Sequence, residues 1–139
     1  MCGITAYWAK EANLSLSHYD ILLNGCTQRG DDGIGVAIIS THSKLVFCSE
    51  KRVGSYLMNK DNILKFIKYL MKKDSLLLAY TRATPETENK TSYEMLQPII
   101  RDNLILIHNG GITDSMRKEV SEYKFQTNID SEIILAFYE

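Results

Sequence analysis

At 139 residues, 45% hydrophobic and 24% charged, the chain has the size and mix of an ordinary globular domain, enough for one real core but not for two large ones. Sixteen basic against seventeen acidic residues leave a formal net charge of −1, which gives no footing for a nucleic-acid or other polyanionic partner. No run approaches the roughly 20 apolar residues of a membrane span, and the N-terminus lacks the basic and apolar regions of a signal peptide.

Residues 3–8 alternate loosely and predict a first strand. Leu16, Tyr19, Leu22, Leu23 and Cys26 fall at helical spacing and predict an amphipathic helix over 17–28. A polar Gly/Asp loop at 29–33 leads into two β-rich runs, 35–39 and 45–49, joined as a hairpin around Thr41-His42-Ser43-Lys44. Ile63, Phe66, Ile67, Leu70 and Met71 predict a second helix with Asp61 or Asn62 as its cap. Residues 75–81 read as a strand and 83–93 as a long polar loop. Ile99-Ile100 and 104–107 flank Arg101-Asp102-Asn103 as a second hairpin, 114–120 reads as helical, and a last helix begins at Asp130. Two hairpin-rich strand groups with interspersed helices predict an α+β layered fold, a single domain over 1–139. The cysteines, Cys2, Cys26 and Cys48, show no metal or C-x-x-C spacing. They suggest free thiols in a reducing cytoplasm, with Cys26 and Cys48 in the core.

The chemistry concentrates in five segments. In Met1-Cys2-Gly3-Ile4, removal of Met1 makes Cys2 an N-terminal nucleophile carrying its own base, an α-amine with a pKa of about 7.7–8.0. Arg29-Gly30-Asp31-Asp32-Gly33-Ile34-Gly35 reads either as a turn or as a loop beside Cys2, with Arg29 organising backbone carbonyls or a carboxylate. Arg82 ends the apolar strand Leu76-Leu77-Leu78-Ala79. Its guanidinium suits a surface ion pair or a bidentate grip on a substrate carboxylate. In His108-Asn109-Gly110-Gly111-Ile112, Asn-Gly is a favoured hairpin turn, yet the run that follows is helical. The other reading makes Asn109 Nδ2 and the Gly110 N–H an oxyanion hole, with His108 supporting the turn. Asp130 in Asn128-Ile129-Asp130-Ser131-Glu132 reads as a helix cap, with Glu132 complementing the helix dipole, or as an acceptor for a substrate ammonium; both roles are compatible.

In order along the chain, Cys2-Gly3-Ile4, Arg29-Gly30-x-Asp32-x-x-Gly35, Thr81-Arg82-Ala83-Thr84, Gln97-Pro98, His108-Asn109-Gly110-x-Ile112 and Asp130-Ser131-Glu132 resemble the class II glutamine amidotransferase (glutaminase) domain of the N-terminal-nucleophile hydrolases. The resemblance implies a four-layer αββα sandwich and hydrolysis of the L-glutamine side-chain amide by Cys2, with Asn109 and Gly110 stabilising the oxyanion. It further implies Arg82, Asp130 and Thr84 as substrate-binding residues and Arg29 as support for the nucleophile, with no metal or other cofactor. Ammonia would pass to a partner synthase. Tyr80 and Ala83 stand where many family members carry His and Trp, and Pro85-Glu86 follows Thr84, so an altered pocket wall is expected. Family domains commonly run well beyond 139 residues, so the C-terminal part of the sandwich is expected to be missing, leaving a sheet edge open to self-association or a partner. Two other readings remain open: a non-catalytic binding or regulatory relative, and an amidohydrolase acting on a different amide.

Overall fold

A computed structural model describes residues 1–11, 13–40, 46–85 and 90–138, with backbone alone at 46 and 47. The expected hairpin turn at 41–44 and residues 86–89 of the expected long loop lie outside the described residues. The fold is mixed α+β. Strands β1 (Gly3–Ala9), β2 (Gly33–Ser40), β3 (Val46–Val53) and β4 (Ser75–Arg82) form an antiparallel sheet in the order β1-β4-β2-β3. The central strands β2 and β4 carry the longest apolar runs because both of their faces meet protein. Edge strand β3 carries Glu50, Lys51 and Arg52, charges that discourage further strand pairing.

Helices α1 (Leu16–Thr27) and α2 (Tyr56–Leu70) cover one face of this sheet. Tyr19 and Leu23 of α1 and Tyr56, Ile63 and Ile67 of α2 pack on Ile34, Val36, Ile38, Leu77 and Ala79, alternate positions along β2 and β4. Each such large apolar side chain contributes about 1.5–3 kcal/mol by leaving water. Ser15 and Ser55 cap the two helices, accepting the N–H groups of His18 and Met58. Helix α2 therefore starts well before the expected cap at Asp61 or Asn62. Tyr56 is its first core contact, one heptad ahead of Ile63, and the exposed Leu57 and Met58 beside it blur the periodicity. Cys26 is buried as expected, but Cys48 is exposed, because β3 is an edge strand.

The opposite face of the sheet is crossed by the segment around Leu96 and Gln97, which follows a single 3-10 turn (Tyr93–Met95) and includes a cis Gln97–Pro98 peptide. Two glycines make the crossing possible. A Cβ at Gly35 would lie 1.7 Å from the Gln97 carbonyl oxygen, and one at Gly33 would lie 2.4 Å from Leu96 Cδ2. Lys51, the sheet partner of Gly35, donates to the Leu96 carbonyl at 3.2 Å. Beyond the crossing, β5 (Ile99–Arg101) and β6 (Leu104–Leu106) form the second expected hairpin, turning at Asp102, whose φ is 47°. Two short helices follow, α3 (Asp114–Glu119) and α4 (Glu132–Tyr138). Among the described residues, no helix is long and apolar enough to cross a membrane.

A paired glycine experiment tests the crossing. Gly35→Ala is expected to lower the unfolding free energy by about 3 kcal/mol, because the obstructing atom is backbone. Gly25→Ala, in α1 with nothing within 4 Å of the new methyl, is expected to raise it by about 0.5–1 kcal/mol. Urea denaturation of both variants checks the two signs.

Candidate active site

Cys2 immediately precedes β1, and the register that pairs Gly3 with Thr81 lays it beside the end of β4. The approach requires Gly3: a Cβ there would sit 2.2 Å from the Cys26 carbonyl oxygen at the end of α1. That same oxygen accepts the Thr81 hydroxyl at 2.9 Å and the Arg29 N–H at 3.1 Å, so strand, helix end and loop converge on one acceptor. The Tyr80 hydroxyl donates to Cys2 Sγ at 3.0 Å, and the Ala83 N–H points to the same sulfur at 3.5 Å. The Cys2 N–H donates to Asn109 Oδ1 at 3.2 Å. Burial pushes the Tyr80 phenol far above its ordinary value of 10.0, and the contact with Cys2 adds to the rise; Arg82 beside it works in the opposite direction.

The loop at 29–33 fastens this corner from outside. Asp32 accepts the Thr84 N–H on Oδ2 at 2.7 Å and donates its own N–H to the Arg82 carbonyl at 2.9 Å. Asp31 Oδ1 accepts the Tyr56 N–H at 2.6 Å, at the start of α2. Arg29 is exposed, and its guanidinium meets the Met1 thioether, with Nη2 3.2 Å from Sδ. Thr84 is turned toward the scaffold: beyond its bond to Asp32, its hydroxyl pairs with that of Thr91, and it is not among the described residues that line the cavity. Arg82 is buried in the cavity wall, 8% exposed, with Nη1 3.4 Å from the Met95 carbonyl oxygen.

The opposite wall is built by side chains standing in for backbone. Buried Gln97 accepts the His108 N–H on Oε1 at 2.5 Å and donates Nε2 to the His108 carbonyl at 3.1 Å, completing both sides of one residue as a neighbouring strand would. Gln97 Nε2 also reaches Ser131 Oγ at 3.3 Å, and Ser131 Oγ lies 3.0 Å from His108 Nδ1. The imidazole packs so close to Gly110 that a Cβ there would come within 2.8 Å of Nε2. Asp130 fixes the far end of the loop, accepting the Ile112 N–H on Oδ2 and the Ser131 N–H on Oδ1, at 2.7 and 2.8 Å. Residues 108–111 therefore form an open bend rather than the two-residue hairpin that Asn-Gly alone suggests. Glu132 is wholly buried and accepts the Gln126 and Thr127 N–H groups, both at 2.7 Å, together with the Thr127 hydroxyl; its work lies in ordering the 126–127 loop.

Between the walls lies a cavity of about 630 Å³, a volume suited to a small organic ligand. Cys2, Arg82, Gly110 and Asp130 line it, as do Tyr80 and His108. Asn109 joins the group through its bond to Cys2, while Arg29 and Thr84 support it from outside. Among the described residues, no group of three or more His, Cys, Asp or Glu side chains is placed to hold a metal ion. Gln97 and Ser131 hold the opposite wall together without any cue in the sequence to that role. A polar residue next to Pro98 and a serine at a helix start carry no periodic signal of burial.

Gln97→Ala removes both partners of the His108 backbone. Leaving buried N–H and C=O groups unsatisfied is expected to cost about 2–4 kcal/mol. It should also speed hydrogen exchange at His108 and Ile112, read together with urea denaturation.

No protein-family model and no curated protein matches the chain.

Proposed function

We propose that the chain is a cysteine amidohydrolase of the N-terminal-nucleophile kind, releasing ammonia and glutamate from L-glutamine. The observation that carries this reading is a single cavity with a thiol at one corner, a guanidinium and a carboxylate in its walls, and the Asn109 amide bonded to the backbone nitrogen of the thiol residue. A guanidinium and a carboxylate are the complementary pair for the α-carboxylate and α-ammonium of a free amino acid.

With Met1 removed, the Cys2 α-amine takes the thiol proton and Sγ attacks the side-chain carbonyl carbon. The oxyanion is met by the Gly110 N–H and by Asn109 Nδ2, the donor end of an amide whose Oδ1 is already engaged at Cys2. Collapse of the tetrahedral species returns the proton to the leaving nitrogen, and ammonia departs. The thioester left on Cys2 is hydrolysed by water, which the same amine deprotonates, and glutamate is released. Arg82 binds the α-carboxylate. Asp130, fixed by the Ile112 and Ser131 N–H groups, offers its remaining lone pairs to the α-ammonium.

Two features support the larger architecture of a four-layer sandwich that serves an ammonia-consuming partner or self-associates. The sheet face away from α1 and α2 leaves Ile4 43% and Trp8 55% exposed, and among the described residues β1 pairs on one side only, with β4. One contact favours a second reading, that of a non-catalytic binding subunit. Arg29 engages the sulfur of Met1, and a retained Met1 blocks the α-amine on which the mechanism depends.

Intact mass decides between these readings: loss of Met1 is expected, and its full retention excludes the proposed catalysis. In a glutamate-release assay, Cys2→Ala is expected to abolish turnover. Arg82→Lys is expected to raise KM about 10–100-fold by replacing a bidentate contact with a point charge. Glutamate release that survives Cys2→Ala contradicts the mechanism.

A further inference from the structure

Tyr80, Ala83 and Pro85 depart from the resembled family around Arg82, and an altered pocket wall is expected from them. All three line the cavity, and Tyr80 and Ala83 also stand against the sulfur. The Tyr80 hydroxyl is 3.0 Å from Cys2 Sγ and the Ala83 N–H is 3.5 Å from it, while the phenol ring is 1% exposed. Arg82, two residues further along the same strand, lines the cavity beside it, and its charge draws the phenol pKa down against the effect of burial.

We propose that Tyr80 is a further catalytic residue, the hydrogen-bond donor that holds and stabilises the Cys2 thiolate, with its hydroxyl polarised by the Arg82 guanidinium. The proposal rests on the reading of Cys2 as the nucleophile. Geometry supplies the argument. A buried hydroxyl must spend its proton on some acceptor, and here that acceptor is the sulfur; a thiolate accepts far more strongly than a thiol. Burial holds the phenol protonated well past neutral pH, so it acts as a donor and not as the base. The thiol proton goes to the Cys2 α-amine, the phenol keeps its own, and the hydrogen bond shortens as charge forms on sulfur. When Sγ bonds to the acyl carbon that charge passes to the oxyanion, and when the thioester breaks the thiolate regains its donor.

The same arrangement gives Arg82 a second task. It lines the cavity where the substrate carboxylate is proposed to sit, and its charge acts on the Tyr80 phenol, so one cation serves both corners. Among the described residues, the other titratable groups on the cavity are His108 from the 108–111 bend, Asp130 before α4 and Glu94 from the 3-10 turn, with the Cys2 α-amine once Met1 is removed. None of them is changed by a substitution at Tyr80.

The test is the pH profile of iodoacetamide alkylation at Cys2, read by mass spectrometry of the N-terminal peptide, with exposed Cys48 as the internal control. Tyr80→Phe is expected to move the Cys2 midpoint up by about one pH unit and to slow alkylation about tenfold below it, leaving Cys48 unchanged. Site-specific 3-fluorotyrosine at position 80 keeps the ring and sharpens the donor. It is expected to move the midpoint down, and it decides the matter if the Phe variant does not fold. A Cys2 midpoint that stays put, or that moves the same way in both variants, overturns the proposal. Glutamate release on the same preparations separates the two claims. A Tyr80-dependent midpoint without glutaminase activity rejects the substrate reading and keeps the donor, whereas activity with a Tyr80-independent midpoint rejects the donor alone.

Discussion

The site depends on Gln97. Its carbonyl lies against the bare Gly35 of the central sheet, and its side-chain amide clasps both backbone groups of His108 and reaches Ser131. One residue thereby joins the sheet, the 108–112 bend and the start of α4. Without it, the wall bearing Gly110 and Asp130 would have no fixed distance from the wall bearing Cys2 and Arg82. Gly35 and Gln97 are two halves of one constraint: the close approach exists because one residue has no side chain and the other has an amide.

The energetics favour such a device over an apolar one. Buried polar groups cost free energy unless they are paired, so a network whose members are mutually satisfied tolerates few alternative arrangements. His108, Ser131 and Asp130 each bond to groups that are themselves engaged, and wholly buried Glu132 does the same for the 126–127 loop. These bonds add little net stability one by one. Their effect is to fix where Gly110 and Asp130 stand, the preorganisation that the proposed oxyanion and ammonium contacts require.

How much of this was legible in the sequence follows from periodicity. Helix α1 and strand β4 are readable because Leu16, Tyr19 and Leu23 repeat at helical spacing and Leu76 to Ala79 form an unbroken apolar run of strand length. The start of α2 is not, since two exposed apolar residues follow Tyr56 and blur the stripe. Cys48 reads as a core thiol until strand order places β3 at the edge, a fact about topology that no local window carries. The cavity-lining Cys2, Arg82, Gly110 and Asp130 were nameable because each is a chemically marked residue at a strand end, bend or helix start. Gln97 and Ser131 were not assigned roles, because their partners lie 11 and 34 positions from Gln97 and only the fold supplies them. Tyr80 lines the cavity wall that its departure from the family pattern points to, but such a departure does not name the contact with Cys2 Sγ that only the fold supplies.

The central claim is that Cys2 is a nucleophile in a cavity built for a free α-amino acid with a side-chain amide. The most direct measurement is labelling with a diazoketone analogue of glutamine, followed by digestion and mass spectrometry. The account predicts a peptide beginning at Cys2 that carries one adduct, with excess L-glutamine protecting it and Cys26 and Cys48 unmodified. An adduct on Cys48, or labelling of Cys2 that glutamine does not slow, would contradict it.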